Sequence, residues 1–121
     1  MAGFKRFEEI ESWKEARVLV GKIYSIDTRD YGYKDQIRRS AVSVMSNIAE
    51  GFGREGKPEF AQFLTIAKGS LNEVKSLLYV ALDLKYINRE LFDELYRKAV
   101  FISSALTGLI KYLRKAGKKN G

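Results

Sequence analysis

Apolar residues recur every three to four positions along almost the whole chain, in four stretches separated by short breaks, and that period admits helices and little else. The first stretch, about 9–28, puts Trp13, Ala16, Leu19, Val20, Ile23 and Ile26 on one face, and Ser12 with Glu15 has the spacing of a capping box. The second, about 33–52, lines up Ile37, Ala41, Val44, Met45, Ile48 and Phe52, with Gln36, Arg39, Ser43, Asn47 and Glu50 on another side. The third, about 58–86, opens on Pro58, the single proline, whose fixed φ suits a first helical position. Its seam is Phe60, Leu64, Ala67, Leu71, Val74, Leu78 and Ala81, flanked by a second seam of Phe63, Ile66, Leu77 and Leu84. The fourth, about 88–115, has Asn88 as its cap and Ile87 with Phe92 placed as a hydrophobic staple. Leu91, Leu95, Ala99, Ile102, Leu106, Leu109 and Leu113 carry its stripe, and a basic tail, 116–121, follows.

Short breaks favour antiparallel neighbours, so the pattern predicts one all-α domain over residues 1–121: an antiparallel up-down-up-down four-helix bundle. A chain of this length buries about 65–70% of its unfolded surface without a metal or disulfide. The last two stretches reach roughly 40 Å and the first two about 30 Å. That overhang, with the second seam on the third helix, predicts self-association, against the plainer alternative of a thick core with frayed ends. No run of eighteen apolar residues and no export signal is visible, so a cytoplasmic protein without membrane contact is expected.

Neither cysteine nor histidine occurs. The chain therefore has no imidazole or thiolate for haem, zinc, phosphoryl transfer or neutral-pH base catalysis, and no catalytic residue, cofactor or metal is expected. Gly51, Gly53 and Gly56 fall in a G-x-G-x-x-G pattern within AEGFGREGKPEF. That pattern cradles a pyrophosphate only between a strand and a helix, and here the preceding segment is helical. The glycines are expected to end one helix, with a left-handed residue, and to turn the chain into Pro58. Glu50 and Glu73 suggest a carboxylate pair. The presence of Asn47, Ser70 and Lys68 favours instead a polar layer that fixes helix register. Gly69 and Gly108 lie inside helices, where close helix approach would explain them.

The net charge of +7 is concentrated at one end: residues 89–121 hold eight bases and three acids, and Lys111, Arg114, Lys115, Lys118 and Lys119 form a run without acids. Cations at a helix C-terminus complement its dipole, about 0.3–1 kcal/mol each, and keep a protein soluble. In a closed oligomer the same clusters add into a phosphate-binding surface. Arg54 and Lys57 flank the free amides of the third helix, where an anion would bind. Tyr112, beside Lys111 and Arg114, is placed to stack on single-stranded bases or to pack at the rim.

The run QIRRSAVSVMSNIAEGFGREGKPEFAQFLTIAKGSLNEVKSLLYVALDLKY, with the earlier SWKEARVLVGKIY, resembles the four helix bundle family of 23S rRNA-intervening-sequence proteins. Its most specific elements are Gln36 with Arg38 and Arg39, then Ser46 to Gly51, Glu59-Phe60 and Gly69-Ser70-Leu71. Many relatives carry proline where Met45 stands, so a kink there is expected to be missing or milder. The resemblance implies a homopentameric ring of non-enzymes without agreed catalytic residues. A related group serves as the accessory protein of diversity-generating retroelements, binding a reverse transcriptase and nucleic acid through a basic barrel. For this chain the expected function is therefore binding of RNA or DNA through Arg38, Arg39, Arg54, Lys57, Lys111, Arg114, Lys115, Lys118 and Lys119. The alternative is a protein-interaction scaffold.

Overall fold

After a short 3₁₀ turn at Phe7–Glu9 come four helices: α1 (Glu11–Tyr24), α2 (Tyr31–Phe52), α3 (Lys57–Asp83) and α4 (Arg89–Asn120). They are seen in a computed structural model that describes residues 3–120, with side chains described as far as Gly117. α2 packs against α1 and α3, and α4 against α3 and α1, while the diagonal pairs stand farther apart across the core. The result is the up-down-up-down bundle that short connections dictate. Its head holds the ends of α1 and α3 and the starts of α2 and α4; its foot holds the start of α3 and the ends of α2 and α4.

One core runs the length of the bundle. Leu19 and Ile23 of α1, Ile37 and Ile48 of α2, Phe60, Leu64, Leu71 and Leu78 of α3, and Leu95, Ile102 and Leu106 of α4 are fully buried. Each such side chain contributes about 1.5–3 kcal/mol by leaving water. The second α3 seam does not form a continuous face: Leu77 joins the core, but Ile66 and Leu84 are about half exposed. Ser70 and Glu73 lie between them and interrupt it. On α4, Ile110 is buried while Leu109 is only partly so, because the stripe passes from Leu106 to Leu113 through position 110.

The ends differ from the periodic expectation. α1 stops at Tyr24, not near 28: its last turn tightens, with the Ser25 and Ile26 N–H groups donating to the carbonyls three residues back. Ile26 nonetheless stays buried, which is why the apolar period outlasts the helix. The Ser12–Glu15 capping box is absent, since the helix starts from Ile10, Ser12 is buried inside the first turn, and Glu15 instead accepts from Lys98 of α4 at 2.7 Å. Asp30 caps α2 by accepting from the Tyr33 N–H, and α2 is unbroken through Met45. α3 ends at Asp83, three residues short of 86, in a Schellman turn. There the Tyr86 N–H donates to Ala81 at 2.8 Å, the Lys85 N–H donates to Leu82 at 3.1 Å, and Lys85 takes the left-handed φ of 64°. Asn88 caps α4 by accepting from the Leu91 N–H at 2.8 Å, with Ile87 and Phe92 both buried. α4 then runs on through the segment expected as a tail, to Asn120.

The glycines separate by function. Gly53 follows α2 with φ −75°, not left-handed, and Gly51 lies within the helix. A Cβ on Gly51 would stand 2.6 Å from the Phe63 Cβ and 3.0 Å from Phe60, so α2 and α3 approach too closely at Gly51 to admit a side chain. The close-approach account of Gly69 and Gly108 fails, because a Cβ on either would meet nothing within 4 Å. Gly51→Ala should therefore destabilise the bundle by about 1–3 kcal/mol through overpacking, whereas Gly69→Ala should stabilise it by about 0.5–1 kcal/mol through helix propensity. Denaturant midpoints of the two variants check this, and equal shifts would contradict the assignment.

Candidate nucleic-acid interface

The α3–α4 turn sets the register of the two longest helices, and three aromatic rings lock it near the head. Tyr79 of α3 meets Phe92 and Tyr96 of α4 at ring separations of 5.0 and 5.6 Å. Running back antiparallel, α4 brings Gly117 beside the start of α3: a Cβ on Gly117 would lie 3.9 Å from Cγ of Pro58. Lys57, Lys111, Arg114 and Lys115 therefore share the foot. The side chains of Lys118 and Lys119 lie outside the described residues.

None of those four cations takes part in an ion pair found among the described residues. The cations that are paired lie elsewhere: Lys22 with Glu94 at 2.5 Å, Lys98 with Glu15 at 2.7 Å, Arg89 with Asp93 at 3.3 Å, and Arg39 with Asp35. Arg54 also stands at the foot, but its guanidinium donates to Glu50 at 2.7 Å and lies 5.0 Å from the Phe63 ring. The anion site expected between Arg54 and Lys57 is not open. The Glu59 carboxylate folds back against Gly56, at the N-terminus of α3, where an anion would sit.

Lys68, midway along α3, was missed as a companion of the α4 cations. Positions 68 and 70 differ by about 200° around a helix, so Lys68 cannot share the polar layer with Ser70. That layer is made by Ser43 and Ser70, whose hydroxyls are 2.9 Å apart, with Asn47 donating to Ser43. Glu50 and Glu73 do not form a carboxylate pair: Glu50 holds Arg54, and Glu73 accepts a long bond from Gln36 at 3.5 Å. Lys68 instead enters a furrow between α3 and α4 lined by Thr65, Gly69, Asn72, Thr107, Lys111 and Arg114, about 410 Å³ in volume. Tyr112 is half exposed and lies outside that lining.

Arg38 and Arg39 are at the other end, about 24 Å up α2 from Arg54. They line a hollow of about 1000 Å³ with Tyr24, Tyr31, Lys34 and Asp35. Arg38 lies 4.5 Å from the Tyr24 ring and donates to the Tyr24 carbonyl at 3.1 Å, and its Nε is buried without a partner. The Arg39 guanidinium holds the Asp35 carboxyl below the usual carboxylate range, and Asp35 in turn raises Arg39. The nine candidate cations thus do not form one site; the foot collects Arg54, Lys57, Lys111, Arg114 and Lys115, and the head holds Arg38 and Arg39.

Fold and charge together define a class: an antiparallel four-helix bundle with a cationic foot and, among the described residues, no cluster of His, Cys, Asp or Glu able to hold a metal. The chain belongs to the 23S rRNA-intervening sequence protein family, whose model matches residues 8–108. A similar solved structure is the crystal structure of a protein of unknown function from the S23 ribosomal protein family of Bacteroides thetaiotaomicron VPI-5482. At 24% identity and a TM-score of 0.76, that match covers 83% of this chain and 95% of the other, and it establishes the fold alone. No curated protein matches the sequence. Among the described residues no helix is long and apolar enough to cross a membrane.

At the head, Asp30 joins two elements: the Tyr86 hydroxyl donates to it at 2.6 Å. That bond, then the Tyr33 N–H, hold its carboxyl below the ordinary value of 3.8. A lowered folded pKa lends stability above the unfolded value and loses it as pH falls through the folded one. Tyr86→Phe should therefore lower the melting temperature at pH 7, and the deficit should shrink as the pH drops through the folded pKa of Asp30. A deficit that does not change with pH would show that the Tyr86 hydroxyl acts other than through the Asp30 carboxylate.

Proposed function

We propose that this protein is a non-catalytic homo-oligomer, a pentameric ring in our reading, that binds RNA or DNA through the cations at the foot of each bundle. The observation that carries this is the gathering of Lys57, Lys111, Arg114 and Lys115 at one end without an ion-pair partner among the described residues. Cations gathered at one end without ion-pair partners repel one another, and phosphates relieve that repulsion while releasing counterions. A ring would multiply the effect by placing several feet side by side. Support for self-association comes from Ile66 and Phe101 on the long helices and Leu84 just past the end of α3, each 50% exposed or more. In the cell such a particle would act as an accessory to an RNA or reverse-transcriptase system, consistent with the ribosomal-RNA association in the family's name.

Light scattering combined with absorbance at 260 and 280 nm reports subunit number and co-purifying nucleic acid together. The expected result is an oligomer whose nucleic acid is removed by salt; a monomer free of nucleic acid would contradict the proposal. Binding of a labelled single strand should weaken linearly in log salt, and changing Lys111, Arg114 and Lys115 to Gln should flatten the slope by about 2. If that triple variant binds with the wild-type slope, these cations do not contact the phosphates; if the wild-type protein binds no strand at all, the bundle is a protein-interaction scaffold instead.

A further inference from the structure

A helix interior disfavours glycine relative to alanine, so a glycine retained there needs either a neighbour that forbids a side chain or a reason to keep the backbone bare. Gly51 has the neighbour. Gly69 does not: it sits in the middle of α3, exposed, with nothing within 4 Å of where its Cβ would stand. Packing within the chain leaves that position free, and the space it opens belongs to the α3–α4 furrow.

The furrow carries cations on both walls. Lys68 projects from the α3 side and Lys111 and Arg114 from the α4 side, and no acid lines it. Thr65 and Thr107 donate their hydroxyls to the carbonyls of Ala61 and Ser103, so the polar donors left facing outward are the three cations and the Asn72 amide. By contrast the head hollow contains Asp35, tied to Arg39, and the hollow beside it adds Glu73.

Packed helices lie about 8–10 Å apart, so cations on both walls can flank one strand of a polyanion, while a double helix is too wide to enter. The stretch from Thr65 to Asn72 is about 10 Å long, room for roughly two phosphates of an extended strand. We infer that the α3–α4 furrow is a seat for the phosphodiester backbone of single-stranded nucleic acid, with Lys68, Lys111 and Arg114 as its cations and Gly69 kept bare so that the strand can approach the helix. This rests on the nucleic-acid reading above and names the place and the strandedness that reading leaves open.

The test uses the full chain and anisotropy of a labelled oligo(dT) of about twenty nucleotides, against a duplex of the same length. Gly69→Glu puts a carboxylate on the furrow floor at a position with room for it; Gly69→Gln fills the same space without charge. Gly21→Glu is the control, since Gly21 is an equally open, exposed glycine of α1, far from the furrow. The expected results are binding of the single strand at least tenfold tighter than the duplex, a tenfold or greater loss for Gly69→Glu, a smaller loss for Gly69→Gln, and less than twofold for Gly21→Glu. Circular dichroism should show the three variants as helical as wild type. Wild-type protein that binds neither probe at low salt would sink the nucleic-acid reading and this proposal together. Wild-type binding that Gly69→Glu and Gly21→Glu change equally, or that favours duplex, would overturn the furrow alone. A change in particle mass for Gly69→Glu with binding retained would make the furrow a contact between copies and also overturn it.

Discussion

The register of the α3–α4 hairpin governs both the core and the charge of this bundle. It is set by the Schellman turn at Lys85, the Asn88 cap and the Tyr79–Phe92–Tyr96 rings, all within the head. From there two helices of 27 and 32 residues run antiparallel, so a slip of one turn would displace every buried Leu on α4 from its partner layer on α3. The same register sets Gly117 against Pro58 and brings Lys111 and Arg114 into the furrow that Lys68 lines. Charge placement at the foot is thus a consequence of packing decided some 40 Å away.

The other two helices complete the core rather than shape the interface. α1 has only 14 residues, and its ties to α4 are the Lys22–Glu94 and Lys98–Glu15 pairs, which match the charges on the upper part of the bundle. α2 is tied to α3 by the close approach at Gly51 and the Ser43–Ser70 bond. Where acids are available, cations are neutralised locally: Arg39 by Asp35, Arg54 by Glu50, Arg89 by Asp93. The last two dozen residues of the chain contain no acid, so the cations of lower α4 have none on their own helix to pair with.

Helix existence and core membership were legible because burial imposes a period of 3.6 on residues such as Leu64, Leu71 and Leu78. Ends were less so, as Ile26 and Ile87 show: both are buried yet lie outside helices, and an apolar residue in a connection carries the same signal as one in a turn of helix. Gathering of Lys57 with the α4 cations followed from antiparallel order, but the splitting-off of Arg38 and Arg39 needed the bundle's length. Lys68 was readable from its angle relative to Ser70 and was obscured by its nearness in sequence. The openness of Gly69 was not legible, since a close-packed glycine and a bare one look alike until the neighbouring helix is placed. Nor could the capture of Arg54 by Glu50, or the place of the Glu59 carboxylate beside Gly56, be read from composition.

Lysine acetylation footprinting by mass spectrometry, with and without saturating single-stranded oligonucleotide, tests most directly whether the foot is where the protein meets its ligand. Protection should fall on Lys57, Lys68, Lys111 and Lys115, leaving Lys34 and Lys85 at the head as reactive as in the free protein. Protection confined to the head lysines, or spread evenly over both ends, would contradict the account.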